Sequence, residues 1–256
     1  MKSIQTSLLS GRYPSRCDVS ATIHYYKDAP GADVLRDRTA LSGNRVARFL
    51  LLLALCLGTL VSAQVDLSKT RAIALSRYGE DTARVVDDWQ AAIDSMKGMD
   101  DAGKLALANK FVNDRIRWAQ DPEAWGEKDY WATPLETMGK GMGDCEDFAI
   151  FKYATLLLAG MDVNNLRITY VKAQSGGPNS QIHLAHMVLA YYESPTAEPL
   201  ILDNLVGDIY PASKRTDLTP VYGFNSKGLW VGGAAAPATN DPGAKLSRWR
   251  DLLQRA

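Results

Sequence analysis

Of the three cysteines in the chain, Cys145 stands where a helix is predicted to begin. It follows two glycines and Asp144, a residue type that often caps helix N-termini. Apolar residues then recur at helical spacing, and Gly160 is a plausible stop. The start of a helix favours an anion, and the thiolate is the nucleophilic form of cysteine. The same features also fit a small buried residue beside a glycine turn, so this segment alone leaves both interpretations open.

A cysteine nucleophile needs a base, and the base needs an orienting group. Downstream of Cys145 the histidines are His183 and His186, in a region with the period-two pattern of β-strands at 166–171, 186–192 and 199–203. If residues 193–196 form a four-residue turn, His186 lies directly opposite Asp203 on one face of the sheet, and His183 points to the other face. This pattern predicts a catalytic triad of Cys145, His186 and Asp203. A core histidine and a strand-end aspartate are the alternative, and a one-residue shift in register would undo the argument.

Three carboxylates surround the thiol: Asp144, Glu146 and Asp147. Like charges disfavour the thiolate and raise its pKa, which is wrong for a nucleophile. Asp144 and Asp147 could simply cap the helix. Alternatively, the three residues bind a hard cation, and calcium prefers such oxygen ligands. The pattern therefore predicts a Ca²⁺ site at Asp144, Glu146 and Asp147.

The elements that would position these groups change in type along the chain. Residues 82–96 and 105–118 each place apolar side chains on one helical face, and strands follow residue 160. A short helix is predicted at 246–253. Helices first and strands after them predict an α+β fold, with N-terminal helices packed on a small antiparallel sheet. Trp118, Trp125 and Trp131 either pack beneath a loop or form a cleft wall beside Cys145.

An uncharged apolar run at residues 49–61 follows Arg45 and Arg48 and ends in small residues at Ala63. These are the parts of a secretory signal peptide, and the run is short for a membrane span. A retained anchor is the alternative. We therefore predict an N-terminal extension plus signal peptide at 1–63 and one domain at 64–256, exported and without stable membrane insertion after cleavage. Cys145 would be the one cysteine left, so no intrachain disulfide could form.

The charge balance excludes one class of partner. The 29 basic and 29 acidic residues cancel, and residues 1–63 hold eight of the basic and four of the acidic ones, which leaves the predicted mature chain at −4. No basic patch with interleaved aromatic residues is present, so nucleic-acid binding is not expected.

The sequence resembles the bacterial transglutaminase-like cysteine proteinases. The resemblance covers most of residues 66–225 and is carried by residues 131–136, 143–149, 152–153, 186–189 and 202–204. It implies a papain-like or transglutaminase-like core, with Cys145 as nucleophile, His186 as general base and Asp203 as the orienting group. It also implies calcium binding at Asp144 and Glu146, with Asp147 as a further candidate ligand.

The resemblance further implies a periplasmic endopeptidase that cleaves a large RTX-type surface adhesin near its N-terminus, releasing the adhesin and promoting biofilm dispersal. A LapD-like inner-membrane receptor for cyclic diguanylate is the implied partner, and its periplasmic domain would sequester the protease. Two alternatives stay open. One is a transglutaminase or amidase that uses the same triad, and the other is a non-catalytic calcium-binding module.

Overall fold

The computed structural model describes residues 65–177 and 179–256. The helices are α1 Ser68–Tyr78, α2 Glu80–Ser95, α3 Asp101–Arg115, α4 Asp121–Ala124, α5 Pro134–Lys140, α6 Cys145–Leu158 and α7 Ser247–Arg255, with 3₁₀ turns at Val163–Asn165 and Ala212–Lys214. The strands are β1 Arg117–Trp118, β2 Met142–Gly143, β3 Leu166–Ser175, β4 Ile182–Tyr191, β5 Leu200–Leu202, β6 Tyr210–Pro211, β7 Leu218–Phe224 and β8 Leu229–Val231. The predicted signal peptide lies outside the described residues. Within them, no helix has the length and apolar character needed to cross a membrane.

The main sheet has six antiparallel strands in the order β6-β5-β4-β3-β7-β8. From residue 65 onward six helices precede it, and α6 packs on β3 and β4 at its centre. The predicted α+β class, with N-terminal helices on a small antiparallel sheet, is confirmed.

The N-terminal helices follow the predicted apolar faces, with different ends. α2 begins two residues earlier than predicted, after Gly79, whose φ of +89° suits glycine. α3 begins at a capping aspartate, where Asp100 accepts a hydrogen bond of 2.8 Å from the Gly103 N–H. The prediction that this helix runs to Trp118 is wrong. Arg117 and Trp118 instead form β1, which pairs in parallel with Met142 and Gly143 of β2. Backbone pairing with a distant segment overrides the local helical pattern there.

Helix α6 is buried on most of its surface. One side packs Ile150, Tyr153 and Leu156 against the sheet, and another packs Phe148 and Phe151 against α2 and α3. It ends as predicted at Gly160, with φ +80°, where N–H groups of Gly160 and Met161 bond back to Leu157 and Leu156. Because both sides are packed, the first turn of α6 is held firmly relative to the sheet.

The hairpin between β4 and β5 has a different register from the predicted one. Leu189 pairs with Leu202 and Tyr191 with Leu200, so the connection spans eight residues rather than four. The prediction that His186 lies directly opposite Asp203 is therefore wrong by two residues. Because side chains alternate with a period of two, a shift of two keeps both residues on the same face. They are diagonal neighbours across the strand pair instead of a directly opposed pair.

The C-terminal helix α7 docks on the domain. Trp249 and Leu252 are buried in the same core as α6, and Trp249 packs edge-on against Tyr153 and Phe224. Arg255 donates a hydrogen bond of 2.6 Å to the carbonyl of Trp131. The helix therefore buttresses the loop that approaches Cys145.

Candidate active site

Cys145 is the first residue of α6 and lies half-buried at the end of β2. The segment before it is constrained by glycine, because a Cβ on Gly143 would lie 2.5 Å from Oδ2 of Asp147. Asp144 occupies the N-cap position, but its side chain makes no capping hydrogen bond, so that part of the helix-capping interpretation is wrong. The thiol donates instead to Oε2 of Glu146 at 3.1 Å.

His186 and Asp203 form a buried hydrogen-bonded pair. The His186 Nε2 atom lies 2.8 Å from Oδ1 of Asp203, and the two side chains are nearly inaccessible to solvent. With Nε2 engaged by Asp203, Nδ1 is the ring nitrogen left to act as base. His183 is exposed, and its Nδ1 contacts the carbonyl of Gln181, away from this pair.

One cleft brings the predicted groups together. Cys145, Asp144 and His186 all line a cavity of about 480 Å³. Trp118, Leu184 and Leu205 line the same cavity and are each at least half exposed, whereas Gln120, Ser175 and Asp217 contribute polar groups to its wall. The cleft therefore offers a peptide both apolar surface and hydrogen-bonding groups.

The three tryptophans divide between the two interpretations left open by the sequence. Trp131 is buried and stacks on Phe224 with ring centroids 5.5 Å apart. Trp125 packs against Tyr130 and donates from Nε1 to Oδ2 of Asp147 at 3.3 Å. Trp118 alone lines the cleft with Cys145.

Asp203 is held from three directions. Oδ1 accepts from His186 and from the Leu205 N–H at 3.0 Å, and Oδ2 accepts from Nη2 of Arg215 at 2.8 Å. Burial acts to raise the pKa of Asp203. The hydrogen bond and positive charge of His186, together with the bonds from Leu205 and Arg215, outweigh burial and lower the pKa to about 2. Asp203 is therefore ionised throughout the physiological pH range. Arg215 gave no signal in the sequence, since it lies in a surface-like polar segment twelve residues away.

The acidic groups beside Cys145 are buried, which disfavours their charged forms. Burial, reinforced by the neighbouring Asp144 carboxyl, raises the pKa of Glu146 to about 9, and burial raises that of Asp147 to about 8. Burial also raises the pKa of the Cys145 thiol far above its ordinary value, and the charge and hydrogen bond of Glu146 add to the effect. The thiol in this arrangement is protonated, as the crowded carboxylates predicted.

The carboxylates extend beyond the three predicted ones and converge on one spot. Ligand atoms of Asp121, Asp144 and Asp147 lie within 4.8 Å of one another, as do those of Asp121, Asp129 and Glu146. Asp121 and Asp129 were missed, because they lie well upstream, at the start of α4 and in the loop that follows it. That loop folds back through a 2.7 Å hydrogen bond from the Tyr130 N–H to Oδ2 of Asp121.

The cluster fits a hard cation. Oδ1 of Asp121 and Oδ1 of Asp144 are buried and have no hydrogen-bond partner within the described residues. A buried carboxylate oxygen without a donor is costly, and a cation would satisfy it. All the oxygens offered are carboxylate oxygens, the ligands of Ca²⁺ and Mg²⁺ rather than of a soft metal.

Asp147 differs from the other carboxylates of the cluster. Its Oδ1 accepts from the Ala132 N–H at 2.8 Å, and its Oδ2 accepts from Trp125. It ties the 125–132 loop to the start of α6. A ligand role for Asp147 would use a lone pair of an oxygen that already accepts a hydrogen bond.

Comparisons with known proteins agree with this geometry. Residues 77–222 match the family model described as bacterial transglutaminase-like cysteine proteinase. Among solved structures, Legionella pneumophila LapG is 39% identical with a TM-score of 0.63, over 75% of this chain and 97% of that one. Its calcium-bound form is 38% identical with a TM-score of 0.64, over 75% of this chain and 99% of that one, and an EGTA-treated form matches at 39% and 0.64. No curated protein sequence matches the chain.

Proposed function

The chain belongs to the bacterial transglutaminase-like cysteine proteinases, and we propose that it is an exported, calcium-dependent endopeptidase with Cys145, His186 and Asp203 as its catalytic triad. The observation that supports the proposal is that Cys145 and His186 line one open cleft, and that His186 is hydrogen-bonded to the buried Asp203. A core histidine satisfied by an aspartate would have no need to line a cleft beside a cysteine.

The residues divide the chemistry as follows. Nδ1 of His186 takes the thiol proton, and Sγ of Cys145 attacks the carbonyl carbon of the scissile peptide bond. The resulting oxyanion accepts from the backbone N–H of Cys145 at the start of α6. His186 then gives its proton to the leaving amine as the C–N bond breaks. It next activates a water, which cleaves the thioester and restores the thiol.

Asp203 keeps this histidine in the right state. Its ionised carboxylate accepts the Nε2 proton, which fixes the tautomer and leaves Nδ1 free. The same negative charge stabilises the imidazolium that forms when the thiol is deprotonated. Asp203 stays ionised during this step because its own pKa is about 2.

A second oxyanion donor is available in the cleft. Gln120 lines it together with Cys145. A side-chain amide can donate to an oxyanion as a backbone N–H does. We propose that Gln120 fills this role. Unchanged kcat in a Gln120→Ala variant would count against it.

Calcium is the proposed resident ion, held by Asp144 and Glu146 with Asp121, Asp129 and Asp147 as further oxygen donors. Two observations support it: the unpartnered buried oxygens of Asp121 and Asp144, and the calcium-bound and EGTA-treated forms of the related LapG. The ion would offset the negative charge that otherwise raises the thiol pKa. Glu146 would then bind the ion and would no longer depend on the Cys145 thiol as a hydrogen-bond donor.

The resemblance extends the proposal to substrate and partner. We propose that the enzyme acts in the periplasm on an RTX-type adhesin near its N-terminus, so that cells leave a biofilm. We also propose that a LapD-like receptor for cyclic diguanylate covers the cleft loops near residues 125–131. Full turnover with a saturating, demonstrably bound periplasmic domain of the receptor would count against that partner.

Product analysis tests the reaction class. The adhesin's N-terminal region is incubated with the enzyme, calcium and a labelled primary amine, and the products are sized by mass spectrometry. Hydrolysed fragments support an endopeptidase, whereas amine-linked adducts would establish a transglutaminase. If an active-site-directed thiol-reactive peptide does not label Cys145, the chain is a non-catalytic module.

A further inference from the structure

Arg215 makes the most extensive buried ion-pair network that the proposed triad leaves unexplained in the described part of the chain. Its Nη2 donates to Oδ2 of Asp203 at 2.8 Å. Its Nε and Nη2 donate to the two oxygens of Asp217 at 2.9 and 2.8 Å. The Arg215 side chain is only 7% exposed, and that of Asp203 is completely buried.

These bonds determine which oxygen of Asp203 faces the histidine. Oδ2 is taken by Arg215, while Oδ1 is shared by the Leu205 N–H and by His186. The carboxylate cannot rotate about its Cβ–Cγ bond without breaking several bonds in a buried site. An arginine fork suits this task, since its planar donors fix direction as well as charge.

Arg215 is itself held rigidly. Its backbone N–H bonds the Ala212 carbonyl at 3.0 Å, and its carbonyl accepts from the Leu218 N–H at 3.0 Å. The adjacent Asp217 carbonyl accepts from Gln174 of β3 at 2.8 Å. The arginine therefore connects the end of β5, which carries Asp203, to the start of β7 and to β3.

We propose that Arg215 is a positioning residue of the catalytic centre: it fixes the orientation and the charge of Asp203, and through Asp203 the tautomer of His186. The proposal rests on the proposed peptidase function, but it makes claims about Asp203 and His186 that can be measured without any peptide substrate. A purely structural ion pair would affect stability alone.

Arg215→Gln and Arg215→Lys variants test it, with Arg167→Gln and Arg167→Lys as matched controls. Arg167, in β3, is also buried, but it lies over the rings of Tyr192 and Trp230 and donates to the Ala234 carbonyl. Loss of either arginine should lower stability. Only loss of Arg215 should change the pKa of Asp203, the tautomer of His186 and the reactivity of Cys145. The lysine variants keep the charge, so they remain usable if the glutamine variants do not fold.

Three readouts are taken on calcium-loaded protein. Carbon NMR of the Asp203 carboxyl should show its pKa rising by about one unit or more in Arg215→Gln, because a neighbouring positive charge is lost. Nitrogen NMR should show His186 losing its preference for the Nε2–H tautomer in both Arg215 variants. Mass spectrometry follows the alkylation of Cys145 by iodoacetamide near pH 6. In the Arg215 variants this rate should fall about tenfold or more, since a small misplacement of a supporting group lowers reactivity strongly.

The outcomes separate the two proposals. If the Arg215 variants retain the Asp203 pKa, the His186 tautomer and the alkylation rate, or if the Arg167 variants change them equally, the positioning role is overturned even if the chain is a peptidase. If these readouts change only in the Arg215 variants, the positioning role stands, even should the adhesin prove not to be the substrate.

Discussion

At the level of single residues, the proposed catalysis depends on which histidine serves Cys145. His186 bonds Asp203 inside the cleft, whereas His183 is exposed and contacts only a neighbouring carbonyl in the described structure. His186→Ala should lower kcat about a thousandfold or more, as loss of a triad base does. His183→Ala is the matched control and should retain substantial activity.

Folding of both histidine variants is checked by circular dichroism. The double variant His186→Ala with Cys145→Ala should lose little more than either single one, because triad members act as a unit. An inactive His183→Ala beside an active His186→Ala would mean that the wrong histidine has been assigned.

The acidic cluster makes a prediction about pH. In metal-free protein, Glu146 and Asp147 keep protons to about pH 9 and about pH 8. A group whose pKa is raised by folding stabilises the fold below its unfolded pKa, and this stabilisation is lost as the pH rises through the folded pKa. The Tm in EGTA should therefore fall as the pH rises from about 5 to about 9, and saturating calcium should remove most of that slope.

Thermal melts across this pH range measure the effect. Glu146→Gln is the informative variant, because an amide stays neutral at every pH. Its slope in EGTA should be smaller than that of the wild type. An equal slope in the two proteins would mean that Glu146 does not carry the proton assigned to it.

At the scale of elements, the close contact between β2 and α6 determines where Cys145 lies. A Cβ at residue 143 would meet Oδ2 and Cβ of Asp147 at 2.5 and 2.7 Å. Gly143→Ala should cost roughly 1–3 kcal/mol of stability by overpacking and should also lower activity, because Asp147 ties the neighbouring loop to α6.

Gly233→Ala is the control for Gly143→Ala. No atom lies within 4 Å of a Cβ built there, and the backbone does not require glycine. Urea unfolding compares the two variants. A Gly143→Ala protein as stable and active as Gly233→Ala would show that the packing at the start of α6 is looser than described.

The elements also show what sequence can and cannot predict. The start of α6 at Cys145, its Gly160 stop and the three central strands β3, β4 and β5 followed from local periodicity and glycine chemistry. The hairpin register did not, because a turn length cannot be read from a polar segment at residues 193–199. His186 and Asp203 still meet on one face because the register error was an even number of residues. Asp121, Asp129 and Arg215 were missed because tertiary folding alone brings them to the site.

At the scale of the whole molecule, the related LapG structures correspond to about three quarters of this chain. The signal peptide prediction concerns residues 1–63 and is testable directly. N-terminal sequencing of exported protein should begin at Gln64, after the basic, apolar and small-residue segments. A mature N-terminus upstream of residue 49 would defeat the prediction of cleavage.

The central claim is that Cys145 acts as a calcium-dependent peptidase nucleophile, and one cleavage assay tests it most directly. The N-terminal region of an RTX-type adhesin is incubated with wild-type enzyme in calcium, in EGTA, and in EGTA followed by excess calcium or magnesium, with Cys145→Ala in calcium as the control. We expect a single defined cleavage with calcium, none with EGTA or with the variant, recovery on adding calcium, and poor recovery with magnesium, which demands stricter octahedral geometry. Undiminished cleavage in EGTA, or by Cys145→Ala, would contradict the account.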